Sequence, residues 1–107
     1  VETVDVYPSL CGLAGLTPPD GLDGATFVPL LKDPNARPKG SVVHVYPRGE
    51  RLGRAVRTDR YRLVEWKKPG AAAETAEYEL YDYRDDPKEM RNLAAERPEV
   101  VARLKAI

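Results

Sequence analysis

Four runs of β-branched and aromatic residues, none far enough from the next to admit a crossover helix, leave the second half of this sequence with few ways to fold. The runs are Val42-Val43-His44-Val45-Tyr46, Gly53–Thr58, Tyr61–Trp66 and Tyr78–Asp82. Parallel pairing requires a crossover of about a dozen residues or more. Here Thr58-Asp59-Arg60 is a tight turn, and even Lys67 to Ala76 is a hairpin loop. Sequential antiparallel pairing into a four-stranded sheet is therefore expected. A sheet of this kind needs one face covered. Residues Pro98–Ile107 offer the cover, with Val100, Val101, Leu104 and Ile107 on one helical stripe behind a proline suited to the first helical position. The expected fold class is α+β.

The first half reads differently. Val6, Leu10, Leu13 and Ala14 recur at helical spacing, with Tyr7 and Cys11 beside them. Asp5 is the expected N-cap, Pro8 falls in the first turn, and Gly15 suits the left-handed residue past the end. This helix is apolar nearly all round, the mark of an element contacted on several sides. Thr17 to Gly24 carries two prolines and two glycines and reads as a surface loop. Thr26 then caps a short helix through Lys32, which Asp33-Pro34 stops, and a polar linker follows to Gly40. The change of composition places the boundary between segments 1–38 and 39–107. A chain of 107 residues covers its core thinly. The absence of methionine from the opening Val1-Glu2-Thr3 fits a piece of a longer protein which, cut loose, is expected either to self-associate through its apolar first helix or to leave residues 1–38 poorly packed.

Charge and composition narrow the function classes. Seventeen basic and 17 acidic residues give a net charge of +0, without bulk attraction for nucleic acid or an acidic membrane, and no stretch approaches the ~20 apolar residues of a membrane helix. One cysteine and one histidine make neither an internal disulfide nor a structural zinc set. His44 lacks a neighbouring nucleophile and reads as a packed or hydrogen-bonded side chain, and Cys11 as an inert thiol in an apolar helix. Arg54 and Arg57, three apart on a strand, face opposite sides, and Glu50, Asp59 and Glu65 supply counter-charges, so the recurrent arginines do not form one nucleic-acid surface. Asp82, Asp85, Asp86 and Glu89 lack the glycine and alternating ligands of a calcium loop. Asp86, Pro87 and Glu89 instead match a capping box that begins a turn of helix. Arg48 in Tyr46-Pro47-Arg48, at a strand end, is the arginine best placed to grip a carboxylate or sulfate, with Tyr46 beside it. The competing reading pairs it with Glu50.

These motifs, in order, resemble the C-terminal portion of type I sulfatases. Val4-Asp5-Val6-Tyr7-Pro8-Ser9-Leu10 with Leu13-Ala14-Gly15-Leu16 is similar to their Val-Asp-Leu-x-Pro-Thr-Leu helix, and Leu22-Asp23-Gly24 through Pro29-Leu30-Leu31 to the following segment. Arg57-Thr58-Asp59-Arg60-Tyr61-Arg62 resembles their Arg-Thr hairpin. Glu79-Leu80-Tyr81-Asp82, Asp86-Pro87-Lys88-Glu89 and Asn92-Leu93-Ala94 resemble their ending. Tyr46-Pro47-Arg48 looks most like the iduronate-2-sulfatase branch. The resemblance implies that segment 1–38 is the tail of an alkaline-phosphatase-like α/β domain, and that segment 39–107 helps wall a substrate cleft. It also implies a parent enzyme that hydrolyses sulfate esters with a formylglycine nucleophile and calcium, both held upstream of Val1. No catalytic residue or metal ligand of the family maps onto this chain, which is expected to be inactive alone and to need the N-terminal catalytic portion as its partner. Tyr46 and Arg48 carry over as rim residues facing a sulfated substrate. A periplasmic, secreted or lysosomal-type setting is implied by the family. The rival reading is an independent binding module for sulfated or acidic sugars.

Overall fold

The computed structural model describes all 107 residues, which form two compact units, Val1–Val42 and Val43–Ile107. The division falls four residues beyond the compositional boundary at 38/39, and Lys39 accounts for part of the difference by reaching back to Glu2 and Asp5 in the first unit.

The first unit contains a 3-10 turn, Thr3–Asp5, running into helix α1, Val6–Leu13, and a short helix α2, Val28–Lys32. Gly15, at φ 72, ends α1 in the left-handed conformation as expected, and the Leu16 N–H donates back to the Cys11 carbonyl at 2.8 Å. Asp5 is not an N-cap by side chain. It is almost fully buried, and its carboxylate accepts the backbone N–H of Glu2 at 2.7 Å and of Ala25 at 2.9 Å, with the Lys39 ammonium at 2.8 Å. Ser9, one turn on, donates its hydroxyl to the Asp5 carbonyl at 2.7 Å and accepts the Phe27 N–H at 2.9 Å. Gly24 completes the join, since a Cβ there would lie 1.9 Å from the Val4 carbonyl oxygen. Thr26 accepts the Val28 N–H at 3.3 Å, so it does help start α2.

The second unit is the expected meander. Strands β1 (Val42–Arg48), β2 (Arg51–Arg57), β3 (Tyr61–Lys67) and β4 (Glu77–Asp82) lie in the order β1-β2-β3-β4. Antiparallel register pairs Gly53 with Trp66, Ala55 with Val64 and Val56 with Leu63, then Tyr61 with Asp82 and Leu63 with Leu80. Helix α3, Pro98–Lys105, covers one face: Val100, Val101 and Leu104 pack with Tyr61, Leu63 and Leu80, all buried. Burying each of these aliphatic side chains stabilises the unit by about 1.5–3 kcal/mol. Ile107, assigned to the same stripe, lies past the helix end and is exposed. No helix is long and apolar enough to cross a membrane.

The connection from Tyr83 to Arg97 departs from expectation. No helix starts at Asp86, because Glu89 takes a positive φ of 56 and its carboxylate turns back to the sheet. Asp86 accepts the Arg91 N–H at 2.9 Å and so closes a turn rather than a helix. Asn92 then lies along the open edge of β4, accepting the Leu80 N–H at 3.0 Å and donating to the Tyr78 carbonyl at 3.1 Å. Leu93 adds an N–H bond to the Leu80 carbonyl at 2.8 Å. A bare strand edge is thereby covered.

Candidate functional site

Side-chain alternation puts Arg51, Gly53, Arg57, Arg62, Trp66, Glu77, Glu79 and Tyr81 on the sheet face opposite α3. Two groups of them are organised differently.

Around the β3–β4 end, polar side chains satisfy one another. Arg62 forms a two-pronged ion pair with Glu89, its Nε 2.6 Å from Oε1, and the Tyr83 hydroxyl donates to the same carboxylate. Burial works to raise the Glu89 carboxyl, but the Arg62 and Tyr83 hydrogen bonds outweigh it and hold it below its ordinary value. The Arg57 guanidinium lies on the Tyr83 ring, 3.2 Å from its centroid, and its Nη1 is buried without a hydrogen-bond partner. At the hairpin, Arg60 grips buried Asp82 through Nε at 2.9 Å and Nη2 at 2.7 Å, a bond that lowers the Asp82 carboxyl. Asp82, Asp86 and Glu89 are thus committed to arginines and backbone N–H groups. No group of three or more His, Cys, Asp or Glu side chains that could hold a metal ion converges here.

At the other end lies a cavity of about 340 Å³ lined by Arg48, Arg51, Trp66, Glu77 and Glu79. The indole of Trp66 rests on Gly53 of β2, where a Cβ would sit 2.6 Å from the ring. Its Nε1 donates to Glu79 at 3.1 Å. Arg51 is neutralised by Glu77, at 3.0 Å through Nη1 and 2.9 Å through Nη2. Arg48, exposed at the end of β1, holds its guanidinium 5.9 Å from the Trp66 ring centroid and makes no ion pair. The expected Glu50 partner pairs instead with Lys68.

Arg48 is therefore placed in a concave site, while Tyr46 is exposed and is not among the lining residues. His44 is exposed on β1 rather than packed. Cys11 is half-buried and unbonded. Glu65 does face Arg54 across the β2–β3 pair, as the charge pattern suggested. The sequence reading missed Trp66, Arg51, Glu77 and Glu79 as a set. The available signal was the hairpin register, which counts back from the Thr58–Arg60 turn to put the only tryptophan opposite a glycine.

Comparisons with known proteins agree over most of the chain. The family model described as N-sulphoglucosamine sulphohydrolase, C-terminal, matches residues 1–106, and the chain belongs to this family of sulfatase C-terminal domains. Among curated relatives, arylsulfatase K of Xenopus laevis is 31% identical over 107 residues, 94% of this chain and 20% of that protein. The Delta 4,5-hexuronate-2-O-sulfatase of Bacteroides thetaiotaomicron is 31% identical over 97 residues, 86% of this chain and 19% of its own length. A solved structure of a protein in complex with its substrate D-glucosamine-2-N,6-O-disulfate superposes with a TM-score of 0.75 at 23% identity, covering 95% of this chain and 22% of that one. The α+β architecture is thus that of the sulfatase C-terminal domain. The chain spans about a fifth of the length of the curated relatives it matches.

Proposed function

We propose that this chain is the C-terminal unit of a longer sulfuric ester hydrolase acting on sulfated sugars of the glycosaminoglycan type. The observation that carries the reading is the family match over residues 1–106, at both units at once. In this reading the nucleophile and calcium lie in the remainder of the enzyme, which packs on the exposed apolar side of α1, and the present chain shapes the cleft rather than performing chemistry. Relatives named for a hexuronate 2-O-sulfate and for N-acetylglucosamine 6-O-sulfate support a sugar substrate. Tyr46-Pro47-Arg48 ahead of the Arg-Thr hairpin supports the finer specificity of an iduronate-2-sulfatase type. Arg48 and Tyr46 are then rim residues, Arg48 meeting an anionic group of the substrate away from the scissile sulfate.

Kinetics of the full-length enzyme test this. Arg48→Ala is expected to raise KM for an acidic sugar sulfate by the equivalent of about 1.5–3 kcal/mol, the worth of a charge-assisted hydrogen bond, with much less effect on a neutral aryl sulfate. Equal losses on both substrates with a lowered Tm would instead make Arg48 a structural residue.

A further inference from the structure

We propose that the cavity beside Trp66 binds a single acidic sugar ring, stacked against the indole, with its carboxylate or sulfate on Arg48 and its hydroxyl groups donating to Glu79. The proposal deepens the sugar-sulfatase reading and rests on it for the identity of the sugar.

The geometry supplies each part of such a site. The Trp66 ring lies directly on Gly53, where any Cβ would collide with it, and its Nε1 donates to Glu79 at 3.1 Å. An aromatic face seated on the sheet and tied by one hydrogen bond offers a sugar ring a surface to stack on. The charges are unevenly answered. Arg51 and Glu77 cancel each other, whereas Arg48 has no acidic partner and Glu79 is met only by neutral donors, Trp66 and the Tyr81 hydroxyl at 3.2 Å. A ligand that answers both has one anionic substituent and several hydroxyl donors, which describes a hexuronate or a monosulfated hexose. With Arg51 and Glu77 paired, the remaining Glu79 disfavours a bare inorganic anion and the remaining Arg48 disfavours an amine. A volume of about 340 Å³ is at the small end of sites for single small molecules.

The chain contains one tryptophan, so its intrinsic fluorescence reports this site alone. The 107-residue chain is titrated with methyl glucuronide, glucosamine 6-sulfate, methyl glucoside and sodium sulfate. Saturable fluorescence change is expected for one or both acidic sugars, which distinguishes a carboxylate from a sulfate as the group on Arg48. Neutral glucoside and free sulfate are expected to bind about tenfold more weakly or worse. Arg48→Ala should bring the acidic sugar down to the glucoside level, and Arg48→Lys should recover part of the difference. Glucoside binding as well as glucuronide, sulfate alone matching the sugars, indifference to Arg48→Ala, or no saturable response at all would each overturn the site. Full-length enzyme that releases sulfate, although the chain ignores both acidic sugars, overturns this proposal and leaves the sulfatase reading standing. Acidic-sugar binding by a parent without sulfatase activity does the reverse.

Discussion

Residues that make the sequence recognisable are mostly joints of the fold. Asp5 and Ser9, in the Val-Asp-x-x-Pro-Ser motif, collect the backbone N–H groups of Glu2, Ala25 and Phe27, and Gly24 lets the second segment pass against Val4. Burial pushes the Asp5 carboxyl up, but the Lys39 ammonium and the two backbone N–H groups overcome it, so it titrates at about 2 rather than 3.8. A depressed carboxyl stabilises the fold fully above its unfolded value and loses that contribution as pH falls through the folded one. The first unit is therefore expected to lose hydrogen-exchange protection between about pH 4 and pH 2, and Asp5→Asn to remove that pH step while weakening the unit at neutral pH. Protection that is flat across this range in the unaltered chain would refute the role given to Asp5. Gly53→Val should evict the Trp66 ring from its bed and shift its emission to the red, with a cost of about 1–3 kcal/mol from overpacking, measured by urea denaturation. Sequence reasoning placed Asp5 at the N-cap position of α1, which it occupies, but its side chain makes no cap hydrogen bond to the helix and serves instead as a buried hub. A cap and a buried hub use the same carboxylate, and only the return of Ala25 and Lys39 from far along the chain distinguishes them.

Elements were legible where local pattern and tertiary packing agree. All four strands and α3 follow from periodicity and short turns, since alternation on β3 and the Val100, Val101, Leu104 stripe meet on one core. Leu80, with no exposed surface, sits at its centre. Leu80→Ala is expected to cost about 2–5 kcal/mol, enough to collapse thermal unfolding of the second unit; calorimetry of the variant checks this, and a change under about 1 kcal/mol would displace Leu80 from that position. The segment after β4 was not legible in the same way. Its acids match a capping box locally, but Arg62 and Tyr83 pull Glu89 into a left-handed conformation that a helix cannot contain. Likewise α1 leaves Tyr7, Leu10 and Leu13 more than half exposed, with Leu16 just past its end also exposed, an apolar surface that favours self-association of the free chain. Replacing Leu10 and Leu13 by Asp should abolish concentration-dependent sedimentation, whereas unchanged association would place the contact elsewhere.

At the scale of the whole molecule, two units of unlike character share one family match, and together they cover about a fifth of the curated relatives. The α+β fold was readable from strand runs and one helical stripe, and the family from ordered motifs, because those motifs are the residues that build turns, edges and joints. The cavity was not, because it depends on the register of two hairpins and on which carboxylate each arginine chooses. On the function proposed above, sulfate-ester chemistry belongs to the parent enzyme and shaping of its cleft to this chain. One assay separates the two: released sulfate is measured from a sulfated glycosaminoglycan disaccharide, with calcium, for the full-length enzyme and for the purified 107-residue chain. Turnover is expected from the full-length enzyme and none above the buffer blank from the chain. Sulfate release that follows the isolated chain through purification, or its absence from the active-folded full-length protein on every sulfated sugar offered, would contradict it.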